Sequence, residues 1–168
     1  MKNGIRPGVD ITDEQLHTLI KESDARRAKE KALYLITYRD HSKKELTDKI
    51  RRTCSQQAAE DAAQQMEDLG LVDDEEYARK YAAELLRKKH MSPRGIAYKL
   101  REKGIDSNTI DIITEELECD PYSEIQAVLE RKYSGYKDDE KIKRRAVAAL
   151  QRLGWSWSDI KSAMNDEY

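Results

Sequence analysis

Phenylalanine is absent from this chain, and its 168 residues include only two tryptophans, two cysteines and three prolines. Hydrophobic residues make up 38%, against ~45–50% in ordinary globular domains. A core drawn from so little apolar volume is lean, which favours thin, elongated packing over one thick centre. Cys54 and Cys119 are isolated and lack CxxC spacing, and His17, His41 and His90 are far apart in sequence. That pattern argues for reduced thiols and against a metal site. There is no signal-peptide core and no apolar run long enough to span a bilayer, so a soluble cytoplasmic protein without membrane contact is expected. Phosphate-cradling glycine loops, GxSxG, HExxH and EF-hand loops are missing too, and no cysteine or histidine has a nameable catalytic partner. The expectation is a protein with no catalytic residues and no cofactor.

What the chain does have is charge, at 38% of residues, divided into 31 basic and 33 acidic side chains for a net of −2. Such a balance neither favours nor disfavours a nucleic-acid partner, so the distribution of charge carries the information. The local structure is punctuated most clearly over residues 69–106. Gly70 suits a left-handed helix C-cap, and Asp73 with Glu76 suits the start of the next helix. Ser92-Pro93 reads as an N-cap followed by the residue type favoured at N1, and Gly104 as a second C-cap. Between these marks Tyr77, Ala78, Tyr81, Ala82 and Leu85 recur at helical spacing, as do Pro93, Ile96, Ala97 and Leu100. Helices this short are marginal alone, so each must pack its apolar stripe on a neighbour.

The same phrase recurs. Leu46, Ile96 and Ala146 lie about fifty residues apart, as do Ile50, Leu100 and Leu150, and Gly104 is matched by Gly154. With a one-residue slip, Ala59, Ala62 and Met66 align with Ile110, Ile113 and Leu117. The predicted fold is all-α: three tandem three-helix repeats in an elongated, curved array, with a short N-terminal helix. The expected divisions are a lead-in with that short helix over 1–25, then repeats over 26–70, 71–119 and 120–168. Residues 1–10, with Gly4, Pro7 and Gly8, read as loose. Thr12 and Gln15 form a capping box for a helix to about Glu22, and the breaker-free run 21–31 leaves open whether it continues into repeat 1. The first repeat's third helix should bury Ala59, Ala62, Met66 and Leu69. Ser134-Gly135-Tyr136 reads as a polar loop, Trp155 as core and Trp157 as exposed.

Charge repeats with the helices, since the middle helix of each repeat is basic and the third helices of the first two are acidic. On a helical wheel the face opposite Ile96 and Leu100 carries Arg94, Tyr98 and Arg101. Lys44 and Arg51 are the counterparts in repeat 1 and Arg144 in repeat 3, so Lys44, Arg94 and Arg144 place a cation at one outward position of every repeat. With Lys88, Lys89, Lys141 and Arg145 they form a candidate basic stripe for a polyanion, either phosphate backbone or an acidic protein groove. For any single cation the blander reading holds, a solvated face with weak ion pairs between middle and third helices. A three-fold equivalent position argues for the stripe. The run Asp73-Asp74-Glu75-Glu76 complements a helix dipole and needs no metal to explain it.

Four segments in series, ALYLITYRDHSKKEL (32–46), GLVDDEEYA (70–78), SPRGIAYKLREKGI (92–105) and GWSWSDI (154–160), together resemble the RecX regulatory proteins. Tyr77 stands where that family often has phenylalanine. The resemblance implies a modular all-α fold of three three-helix repeats. It also implies a regulator that lodges in the groove of the RecA recombinase filament on DNA and reduces its ATPase, strand-exchange and coprotease activities. Single- and double-stranded DNA are implied as further partners. The alternative is a helical-repeat DNA-binding protein acting without RecA. A monomer is expected, since no spare apolar stripe demands a dimer.

Overall fold

The computed structural model describes residues 10–165, so the loose lead-in falls, apart from Asp10, outside the described residues. The regular structure among them is helical: α1 (Asp13–Ile36), α2 (Lys43–Ile50), α3 (Gln56–Asp68), α4 (Asp74–Lys89), α5 (Pro93–Glu102), α6 (Ser107–Glu116), α7 (Pro121–Lys132), α8 (Glu140–Arg152) and α9 (Trp157–Met164). No helix among them is long and apolar enough to cross a membrane. The helices gather into two compact units, one ending at Asp73 and the other beginning at Asp74.

In the first unit, α1 resolves the join left open by the sequence. The Thr12–Gln15 capping box forms in both directions, and the helix then runs unbroken for 24 residues through the polar stretch to Ile36. No residue there interrupts the hydrogen-bond ladder, so the short N-terminal helix is the first half of α1. Its apolar packing begins at Ala28, just after Asp24 accepts from the Ser55 N–H at 2.9 Å and Arg27 donates to the Thr53 carbonyl at 2.6 Å. Ala28 and Ala32 of α1 meet Ala58, Ala59, Ala62 and Ala63 of α3, all buried, with Met66, Leu46 and Ile50 completing the core. Small residues allow the two backbones to approach closely, which offsets the lack of side-chain volume.

One expectation changes here. Leu69 is 63% exposed, and Val72 takes the buried place. Gly70 adopts φ +68 and turns the chain back, so that the Leu71 and Val72 N–H groups both donate to the Met66 carbonyl. Leu33 likewise faces solvent, on the side of α1 away from Ala28 and Ala32.

His41 is buried beside the N-cap Ser42. Its Nδ1 donates to the Arg39 carbonyl at 2.8 Å, and Lys49 Nζ donates to its Nε2 at 2.8 Å, so the ring is held neutral. Burial is the main cause that pushes its pKa below the usual 6.5, with the charges of Arg39 and Lys49 adding to it. The unfolded chain therefore takes up a proton first as pH falls. The stabilising contribution is complete above about pH 6.5 and is lost as pH drops through the lower folded value. Urea unfolding of the intact chain should show stability declining as pH falls below about 6.5, with a shallower decline in His41→Gln. Equal slopes in the two proteins would remove His41 as the cause.

The second unit contains two three-helix groups. Tyr77, Ala82, Leu85, Ile96, Leu100, Ile110 and Ile113 form one core across α4, α5 and α6. Ile125, Leu129, Ala146, Leu150, Trp155 and Ile160 form another across α7, α8 and α9. Leu153 packs against both. Gly104 and Gly154 take φ +82 and +91, and after each the next residue's N–H donates to the carbonyl five residues earlier, Ile105 to Leu100 and Trp155 to Leu150. These are the left-handed caps expected at both places. Tyr136, expected in a polar loop, is instead 6% exposed and packed into the last core. Its ring joins Ile125, Leu129 and Trp155 in that core, and its hydroxyl is buried there without a hydrogen-bond partner among the described residues.

Candidate polyanion-binding site

The basic positions are presented by the middle helices α2, α5 and α8. Leu46 and Ile50, Ile96 and Leu100, and Ala146 and Leu150 are all fully buried, which turns the opposite face of each helix to solvent. Lys44, Arg94 and Arg144 are exposed on those faces, as are Arg51, Tyr98, Arg101, Lys141 and Arg145. Lys88 and Lys89 are exposed in the last turn of α4. The helix starts are not equivalent. Ser42 and Ser92 cap α2 and α5 two residues before Lys44 and Arg94, whereas α8 is capped earlier, at Asp139. The apolar pairs, and not the caps, keep Arg144 in register. A cation in the first turn mildly opposes the helix dipole, so helix stability gives no reason for Lys44 or Arg94 to be basic.

The cations differ in how far neighbouring carboxylates neutralise them. Lys44 lies 3.8 Å and Arg51 3.4 Å from Asp48, Arg144 lies 3.4 Å from Glu140, and Lys88 lies 2.8 Å from Glu84, each within its own helix. Such exposed pairs hold their charges loosely. Lys43 Nζ to Glu67 at 2.7 Å joins a middle helix to a third helix, the pairing that the blander reading predicted. Among the described residues Arg94, Arg101, Lys89, Lys141 and Arg145 carry no ion pair.

Within the second unit, α5 is pinned to the turn after α8. The Ser92 N–H donates to the Leu153 carbonyl at 3.0 Å, and Ser92 Oγ donates to the same oxygen at 3.2 Å. Trp155 Nε1 donates to the His90 carbonyl at 2.9 Å, and His90 Nδ1 donates to Glu124 Oε2 at 2.6 Å. His90 ends α4 in the left-handed region at φ 55, unusual for a side-chain-bearing residue, which aims its carbonyl at the indole. Gly95 and Gly154 meet at the centre of this contact. A Cβ on Gly154 would lie 2.6 Å from the Gly95 nitrogen.

A groove of about 370 Å³ opens beside this junction, and Arg94, Tyr98 and Lys99 of α5 line it together with Arg152 and Trp155 from the end of α8 and the turn beyond it. Arg144 and Arg101 are not among its lining residues. The structure thus brings Arg94 and Tyr98 together with Arg152, a residue the helical-wheel reading left out. Its signal in the sequence is its place in the last turn of α8, just ahead of Gly154, but the partner helix could be found only in three dimensions.

Nothing in the site holds a metal or a nucleophile. Among the described residues no group of histidines, cysteines or carboxylates is arranged to hold a metal ion. Both cysteines are free thiols. Burial, followed by the carboxylates of Glu124, Asp120 and Asp159, pushes the Cys119 thiol up, the opposite of what a nucleophile needs.

Three family models match the chain in order: the first three-helix domain of RecX over residues 28–65, the second over 73–112 and the third over 118–164. Regulatory protein RecX of Caldanaerobacter subterraneus subsp. tengcongensis is 26% identical over 167 residues, covering 96% of this chain and 81% of that protein. Regulatory protein RecX of Chlorobium phaeobacteroides is 28% identical over 146 residues, covering 86% and 95%. The fold matches the crystal structure of RecX from Lactobacillus salivarius with a TM-score of 0.67 at 22% identity, over 86% of this chain and 97% of that one. A second crystal structure of regulatory protein RecX matches with a TM-score of 0.72 at 17% identity, over 96% and 82%. With its three helical repeats each matched in order by the corresponding domain, the chain belongs to the RecX family of regulatory proteins.

Proposed function

We propose that this protein is a non-enzymatic regulator of the RecA recombinase, one that binds the groove of the RecA filament together with DNA. Binding there lowers ATP hydrolysis, strand exchange and coprotease activity. One observation within the family carries the reading: an exposed cation at the same outward position of every middle helix, Lys44, Arg94 and Arg144. A regularly repeated charge suits a regularly repeated polyanion, whether acidic filament subunits or the phosphates they enclose. Arg51, Arg101, Lys88, Lys89, Lys141 and Arg145 extend the basic surface. The protein works as a cytoplasmic monomer and uses no cofactor.

The second reading is DNA binding without RecA, favoured by the unpaired Arg94 beside the exposed ring of Tyr98. Adding the chain to RecA on single-stranded DNA and following ATP hydrolysis, with DNA binding by the chain alone measured at the same salt, separates the two. A fall in hydrolysis at concentrations where the chain alone leaves the DNA largely free is the expected result. Steeply salt-dependent DNA binding with hydrolysis unaltered would favour the second reading.

A further inference from the structure

The groove between α5 and the end of α8 has the features of a ligand site that the repeat pattern does not foresee. Its volume, about 370 Å³, falls in the range of small-molecule pockets, roughly 300–1,000 Å³. No aspartate or glutamate is among its lining residues, so the charge facing it is positive. Lys99 is engaged by Glu102 at 2.7 Å, but Arg94 and Arg152 carry no ion pair among the described residues. Two guanidinium groups from different repeats therefore line one cleft with their forks uncommitted. Beside them Tyr98 is 60% exposed, with Lys99 Nζ 5.7 Å from its ring centroid, so the aromatic surface is within reach of a ligand in the groove.

We propose that this groove holds one nucleotide of single-stranded nucleic acid, its phosphodiester between Arg94 and Arg152 and its base against Tyr98. Arginine forks match the planar oxygen pairs of a phosphate, and an aromatic face takes any unstacked base. A duplex keeps its bases stacked inside and offers only its backbone, so the groove favours single strands. An acidic protein segment would satisfy the guanidiniums and leave Tyr98 unused. Because Arg94 and Arg152 come from adjacent repeats, the bound phosphate also bridges the Gly95–Gly154 junction and tightens it. The proposal deepens the reading above and rests on it for choosing nucleic acid as the polyanion.

The test uses the full chain with Trp157→Phe, which leaves Trp155 in the groove wall as the only tryptophan. Titration with a short oligothymidylate should change its fluorescence saturably. Arg152→Ala and Tyr98→Ala should each weaken binding by about tenfold. Arg131→Ala, an equal loss of charge on α7, should not. Both residues are on the surface, and an unchanged circular dichroism spectrum excludes misfolding. Binding as tight as the parent's in both variants would overturn the site, as would an equal response to duplex of the same length. Saturation by polyglutamate with the same dependence on Arg152 and Tyr98 would overturn it in favour of an acidic protein. The titration contains no RecA, so the two proposals fail separately. A chain that ignores oligothymidylate yet lowers RecA ATP hydrolysis refutes the groove alone. A chain that binds through Arg152 and Tyr98 without affecting RecA refutes the filament reading alone.

Discussion

Replacing Gly95 by alanine should destabilise the second unit by about 2–4 kcal/mol, although alanine is the better helix former by roughly 1 kcal/mol. The reason is the neighbour and not the helix. A Cβ at this position would run into the Leu153 carbonyl oxygen, with Met91 Cγ at 2.8 Å and the Leu153 carbonyl carbon at 3.0 Å. Met91 is a flexible side chain, but Leu153 is backbone, held by the turn at Gly154 and by the Ser92 N–H. Relief requires α5 to move away from the turn, which breaks the Ser92–Leu153 bond and strains the indole bond from Trp155 to His90. Each such bond contributes about 1 kcal/mol, and overpacking a tight contact costs about 1–3 kcal/mol. Urea unfolding followed by tryptophan fluorescence measures the sum. A variant as stable as the parent, or more stable by the propensity difference, would mean that the junction is not close-packed.

That contact also marks where sequence reading stops. Ser92-Pro93, Gly104 and Gly154 announce their caps because capping is local chemistry: a side-chain oxygen accepting from the third N–H ahead, or a glycine at positive φ. The apolar pairs from Leu46–Ile50 to Ala146–Leu150 announce the repeat for the same reason, since one helix face is enough to reveal the period. Gly95, by contrast, sits three residues after a cap in a helix where alanine would do as well locally. Its reason lies in Leu153, far along the chain. Leu69, expected in the core, is exposed and Val72 is buried because the Gly70 turn, not the helical period, decides which side chain returns to the core. Tyr136 goes inward because the last core has room for a ring.

The candidate site divides along the same line. Lys44, Arg94 and Arg144 were legible because helical periodicity predicts which face is exposed, and all three are exposed. Arg152 was not legible as a neighbour of Arg94 because it reaches the groove only through the docking of one repeat on the next. The intrahelical partners Asp48 and Glu140 temper the stripe at Lys44 and Arg144, which leaves Arg94 as its least neutralised member.

Reversing all three charges at once, as Lys44→Glu, Arg94→Glu and Arg144→Glu, should therefore have the largest functional effect of any surface change. The three side chains make no core contact, so helicity should stay as in the parent. Each substitution also turns a favourable approach to a polyanion into a repulsive one, and like charges at a contact weaken association beyond the loss of the original pair. Arg94→Glu would also oppose a phosphate in the groove, so the effect should exceed that of removing the charges. The decisive measurement is ATP hydrolysis by RecA on single-stranded DNA at increasing concentrations of the parent and the triply reversed chain. If repeated cations carry the protein onto the filament, half-inhibition by the reversed chain shifts to concentrations higher by on the order of tenfold or more, with an unchanged helical spectrum. Inhibition at the same concentration as the parent would contradict the account.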